Sequence, residues 1–464
     1  MTTLDPIAVH VAGTTYADLP ASAVARVRTF LLDTLGVGIA GSSGHRVAEV
    51  TALARTWAPQ EEATVWLTGE RMGAQSAASA NAYRIQCLEC DCVHEGAVLH
   101  PMATILSAVL AWAERATGQG RPVDGSRLVS ALALGTDVST LLGMATDAPI
   151  RFFRPATAGG LGAAAALAHL AGLDATGVKD ALGAQYAQMS GTLQPHVEGS
   201  PMLGLQVGFN ARAALASVDL AEAGLRGPHD ILTGPYGYFP LFEMGDEHLG
   251  ELLPTLGRDW QIEAMSHKPW PSGRLTHGAV DGLGRLMEEH RFAAADVAGV
   301  TVEVPPLNFR LVGRPLVPRP EANYAKLCLR FVAGVFLAKG RVDVPDFRGA
   351  ALSDPEVHRY AGLVDVVQNA TPDQNALDPQ TVRVRLHDGR ELVCDLPRVK
   401  GHPQVPLTAD ENRDKFRRCA GYGSVLLPAD RAEALIAAVE RVEEIEDVAL
   451  LPRLTLAGPE AVAA

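Results

Sequence analysis

Apolar residues recur at helical spacing over 23–40, 101–117, 127–145, 159–172, 178–190 and 208–224, which predicts a run of helices in the first 260 residues. Glycine and alanine crowd their borders, as in Gly159-Gly160-Leu161-Gly162-Ala163, so helix backbones can approach closely and a packed helical body is expected. Turn signals such as Gly41-Ser42-Ser43-Gly44 and Gly172-Leu173-Asp174 separate the segments.

The pattern changes near residue 265. Val297 to Val304 alternates like a strand, and Thr381 to Leu396 reads as a hairpin turning at Asp388-Gly389. Tyr324 to Lys339 between them reads as a helix, and the chain turns helical again over Asp410–Cys419 and Pro428–Val439. A tail of that length is too short to hold a core of its own. The expected fold is therefore mainly α, with a large all-helical domain built from both chain ends (1–265 and 405–464) and an inserted, smaller α+β lid domain (266–404).

Composition narrows the function. Apolar residues make up 47% and charged residues 20% of the 464, an ordinary globular balance. The net charge of −13 repels phosphate backbones, so neither nucleic acid nor an anionic membrane is an expected partner. The N-terminus shows no leader pattern, and Leu161 to Leu173 is too short to span a bilayer, so a cytoplasmic protein is expected.

Ionisable groups gather in two places. Glu89, Asp91, His94, Glu95 and His100 crowd the segment before an apolar helix that Pro101 would open. The positive end of that helix dipole favours an anion and a neutral imidazole beside it. Its structural alternative is a histidine that merely caps the helix. Cys87-x-x-Cys90-x-Cys92-x-His94 invites a metal reading, but no second ligand pair follows at zinc-site spacing, so no metal is expected and buried free thiols are the simpler reading. The second place is Met265 to Asp281, where His267, Lys268, Arg274 and His277 form a basic stretch in an acidic chain, with Pro269 and Pro271 holding it extended.

Taken in order, these pieces resemble the MmgE/PrpD family, which contains 2-methylcitrate dehydratases, cis-aconitate decarboxylases and iminodisuccinate epimerases. Asp33 to Gly41, Asn81 through His100-Pro101, Arg154-Pro155-Ala156-Thr157 through Ala165, Glu198-Gly199-Ser200 through Gly234, Lys268-Pro269-Trp270-Pro271 to His277, and Gly401-His402-Pro403 through Phe416 carry the likeness. The resemblance implies a homodimer without metal or organic cofactor, acting on a small anionic acid between a helical domain and a lid. It implies His100, Lys268, His94 and His277 as catalytic residues. It implies Arg154, Glu89, Arg274, Arg330 and Gln86 as substrate-binding residues.

Several positions depart from the family pattern. Gln86 and Arg154 stand where histidines are usual, Leu203 where a lysine is, and Phe331 where a tyrosine is. Arginine grips carboxylates but does not deprotonate, so this pocket is expected to bind an anion with fewer proton-transfer groups. The expected function is a cofactor-independent lyase or isomerase on a di- or tricarboxylate, with proton abstraction next to a carboxylate. An epimerase of an iminodisuccinate-like acid and a non-catalytic carboxylate-binding protein are the alternatives.

Overall fold

The computed structural model describes residues 2–458. Its largest core packs helices Ala21–Gly41, Ala74–Gln86, Pro101–Gly118, Gly125–Met144, Thr157–Leu170 and Met202–Glu222. Small residues set the spacing. A Cβ on Gly135 would lie 2.8 Å from the Gly162 carbonyl oxygen, and one on Gly162 would lie 2.4 Å from that of Gly135, so these two helices cross backbone to backbone. Helices Ala409–Ala420 and Ala429–Glu440 join the same core, with Phe416 against Gly36 and a buried ion pair of Lys415 with Asp33 at 2.6 Å.

A second core lies between helices His277–His290 and Leu329–Lys339 and a four-stranded sheet. Its strand order is Val364–Gln368, Val297–Val304, Gln380–Leu386, Glu391–Leu396. The first pair is parallel and the others antiparallel. The hairpin turns where expected, with Gly389 at φ 90°, the left-handed region glycine tolerates best. The fold is mainly helical with small sheets, and among the described residues no helix is long and apolar enough to cross a membrane.

Three elements differ from expectation. Helix Ala74–Gln86 has no amphipathic stripe because nearly every one of its residues is buried. Strand Val364–Gln368 is too short to stand out in the sequence and forms only by pairing alongside Val297–Val304. The helix expected over 324–339 breaks at Leu327-Cys328, where the Lys326 carbonyl accepts a hydrogen bond from the Gly273 N–H.

Candidate active site

The site starts from a short backbone loop. The N–H of His94 donates to the Leu99 carbonyl at 2.7 Å and the Leu99 N–H returns the bond at 3.2 Å, closing residues 94–99. Immediately before it, strand Val93–His94 pairs antiparallel with Met265–Ser266. That pairing brings two segments some 170 residues apart in sequence edge to edge, and so places Lys268 beside Glu89 and Asp91. Pro101 then opens the next helix, with His100 as its N-cap residue.

Four ionisable side chains form one cluster. Lys268, wholly buried, donates to Glu89 at 3.0 Å and lies 3.6 Å from one Asp91 oxygen. The other Asp91 oxygen is 3.5 Å from His100 Nδ1. His100 and Lys268 thus share a carboxylate. Burial alone would raise the pKa values of Glu89 and Asp91, but the neighbouring Lys268 and His100 outweigh it and hold both carboxyls below their ordinary values. Gln86 donates to the free Glu89 oxygen at 2.8 Å, fixing that carboxylate from the other side.

His100 Nδ1 is 3.1 Å from the Cys92 carbonyl oxygen. A carbonyl only accepts, so Nδ1 carries a proton and donates it, and Nε2 is the ring nitrogen left without a protein partner among the described residues. His100 keeps 15% side-chain exposure and lines a cavity with about 630 Å³ of atom-free space, its mouth included. Glu89, His196 and Arg274 are the other charged or imidazole residues on its wall; the rest are largely apolar, including Phe153, Leu203, Leu311 and Leu377. Two wall residues hold backbone strain, Glu89 at φ 53° and Val98 at φ 50°. A β-branched residue in that region is a genuine outlier, maintained only where the surroundings over-determine it.

His196 was not among the expected site residues. Its Nδ1 accepts from the Arg314 guanidinium at 3.1 Å, so Nε2 carries the proton and is the ring's remaining donor. Burial, then the Arg314 charge, push its pKa down to about 4, so it stays a neutral donor at pH 7. In sequence it is a lone histidine in a five-residue helix, with nothing to mark it.

Several expected residues sit elsewhere. Arg154 does not line the cavity: its guanidinium meets Glu243 at 2.9 and 2.8 Å and the carbonyls of Ala97 and Gly143, all buried, so four of its five N–H groups are spent within the protein. Arg330 points to Asp365 on the surface of the smaller body, away from the cavity wall. Arg274 borders the cavity, with its charge paired to Glu95 and three of its five N–H groups given to Glu95 and the carbonyls of Lys400 and Val399.

His94 is buried with both ring nitrogens occupied, Nδ1 accepting from the Ala97 N–H and Nε2 donating to Gln261, and burial pushes its pKa down to about 4. It locks the loop rather than facing the cavity. His277 donates Nε2–H to the Ser272 carbonyl and packs edge-on to Trp270, likewise off the cavity wall. Asp91 joins His100 to Lys268, a role its plain place in a crowded acidic run did not mark.

The three clustered thiols are buried and free, and among the described residues no group of three or more His, Cys, Asp or Glu is arranged to hold a metal ion.

The model of the MmgE/PrpD N-terminal domain matches residues 5–248 and that of the MmgE/PrpD C-terminal domain matches residues 270–444. The chain is similar to the cis-aconitate decarboxylase of Mus musculus, 27% identical over 94% of this chain and 89% of the relative. It is 26% identical to that of Homo sapiens (94% and 90% covered) and 25% to that of Aspergillus terreus (95% and 91%).

Proposed function

The chain belongs to the MmgE/PrpD family, and on that premise we propose that it is a lyase of the decarboxylase or dehydratase type, moving a proton on a carbon next to a carboxylate. The observation that carries the reading is His100 Nε2, an imidazole nitrogen at the cavity wall without a protein hydrogen-bond partner among the described residues, backed through Nδ1 by a carbonyl and a buried carboxylate. An imidazole so held is oriented for proton transfer.

One such group favours decarboxylation over dehydration. Loss of CO₂ breaks one C–C bond and leaves a carbanion that needs one proton, which protonated His100 delivers and solvent restores. Dehydration needs a base for the α-proton and a separate acid for the departing hydroxide. Glu89 is a poor acid, because Lys268 holds it ionised. Similarity to cis-aconitate decarboxylases supports the same choice. His196 Nε2–H serves as the neutral donor to an oxygen on which charge develops, a role that contributes about 3–4 kcal/mol where measured. Lys268 acts through Asp91 and Glu89, tuning the cluster rather than touching the substrate. We read residues 266–404 as the lid over this cavity, and a homodimer as the working form.

His100→Gln is expected to lower product formation by roughly 10²–10⁴-fold, the usual worth of general acid–base catalysis. The readout is deuterium incorporation into product in D₂O. Undiminished incorporation in the variant rejects His100 as the proton carrier.

A further inference from the structure

We infer that a second cavity, separate from the one beside His100, is an effector site for a doubly charged oxyanion of the phosphate type, free phosphate or a phosphate monoester. This cavity encloses about 650 Å³ of atom-free space, its mouth included. Ser43, Gly44, His45 and Leu88 of the helical body form one part of its wall, and segments 321–326 and 344–352 of the smaller body form the rest. The seam between the two bodies therefore runs through it.

The first observation is a buried ammonium without a counter-charge. Among the described residues three lysines are buried, Lys268, Lys326 and Lys415. Lys268 meets Glu89 and Lys415 meets Asp33. Lys326 has no such partner. Its hydrogen bond goes to the Cys87 carbonyl at 2.7 Å, and two of its three N–H groups are left over. The carboxylate whose charge reaches it is Glu89, which Lys268 already neutralises. A cation taken out of water without an opposite charge is strongly disfavoured, and burial accordingly pushes the Lys326 pKa down.

Arg348 repeats the pattern. Half-buried on the same wall, it gives Nη2 to the Ser43 hydroxyl and, at 3.4 Å, to the Tyr422 carbonyl, reaching across the seam to do so. Its Nε and Nη1 have no protein partner among the described residues, and no carboxylate pairs with its charge. The His45 imidazole adds a third nitrogen group; its nearest acid is Glu321, 3.9 Å away and largely exposed to solvent. A chain of net charge −13 thus keeps two uncompensated cations in one cavity.

The donor set selects the ligand. Two positive charges match a dianion. A planar arginine fork, a lysine point charge and an imidazole arrive from three separate stretches of chain, an arrangement that a tetrahedral oxyanion meets with several oxygens at once and a planar carboxylate does not. The cavity exceeds a bare phosphate, and Phe347 and Leu352 offer apolar surface to the organic part of an ester. Leu88 and Lys326 each adjoin in sequence a residue on the His100 cavity wall, Glu89 and Leu327, so an anion held here is coupled to that cavity through the backbone.

The test is calorimetric titration of the full chain with inorganic phosphate at fixed ionic strength. Saturable binding of one phosphate per chain is expected, with a rise in Tm of about 3 °C at a hundredfold excess over Kd. Arg348→Gln and Lys326→Met should each weaken it about tenfold or more. Arg348 is half-exposed, so its variant decides the matter if Lys326→Met folds poorly. His100→Gln should keep phosphate affinity within about twofold, because that residue lines the other cavity. No saturable binding, or binding indifferent to Arg348→Gln, overturns the site. Loss of phosphate binding in His100→Gln moves the anion to the other cavity and overturns it equally. Succinate bound as tightly as phosphate in an Arg348-dependent way overturns the ligand class.

Discussion

Replacing Arg154 distinguishes a buried structural arginine from a substrate clamp. Arg154 and Glu243 are 1% and 2% exposed and meet through two parallel N–H to O bonds of 2.9 and 2.8 Å; Tyr238 donates to the same carboxylate at 3.0 Å. Arg154→Met keeps most of the volume but strands Glu243 as a buried charge and leaves the Ala97 and Gly143 carbonyls without that donor. Removing one partner of a buried pair costs about 3–5 kcal/mol. Glu243→Gln is the milder change, because Gln still accepts one bond, and about 2–3 kcal/mol is expected from the lost charge-assisted bond.

The double variant should be less destabilised than the sum of the two by about 2 kcal/mol, since neither charge is then left alone. With an unfolding entropy of about 2.1 cal/mol/K per residue over the whole chain, each kcal/mol moves Tm by roughly 1 °C, so Arg154→Met should melt about 3–5 °C early by scanning calorimetry. Turnover measured well below Tm should keep its KM within about twofold, because the guanidinium does not reach the cavity. An unchanged Tm with KM raised tenfold or more would refute the structural role and restore Arg154 as a carboxylate ligand.

Two further outcomes concern stability. A Cβ on Gly125 would fall 1.5 Å from the Val442 carbonyl oxygen, where backbone cannot yield cheaply; Gly125→Ala should therefore destabilise by about 3 kcal/mol or more, read as a fall in Tm. His94 and His196 are neutral and buried with pKa values pushed down to about 4, so between about pH 6.5 and 4 the unfolded chain binds protons the folded one does not. Stability is thus fully present above about pH 6.5 and falls as pH drops, by up to about 3 kcal/mol for each histidine. His94→Gln should flatten that slope in denaturation midpoints measured across this range, and an unaltered slope would count against it.

Much of the architecture was legible along the chain. The apolar periodicity of 23–40, 101–117 and 208–224 reappears in helices Ala21–Gly41, Pro101–Gly118 and Met202–Glu222, because an amphipathic stripe is a local property. The hairpin at Asp388-Gly389 and the start of a helix at Pro101 were equally local, set by a left-handed glycine and by proline's missing N–H. His100 and Lys268 were visible as chemistry-bearing residues, and their meeting at Asp91 follows from strand pairing between segments the sequence alone does not align.

Which cations are free was decided only in three dimensions. Arg154, Arg274 and Arg330 look alike in sequence, yet each is neutralised by an acid far along the chain: Glu243, Glu95 and Asp365. His94, a catalytic candidate in the sequence, is locked by Ala97 and Gln261, while His196, which the sequence does not mark, lines the cavity with Arg314 on its Nδ1. Residue type fixes what a side chain is able to do. Its availability depends on which partner lies within about 3 Å, and that is set by long-range packing rather than by neighbours in the chain.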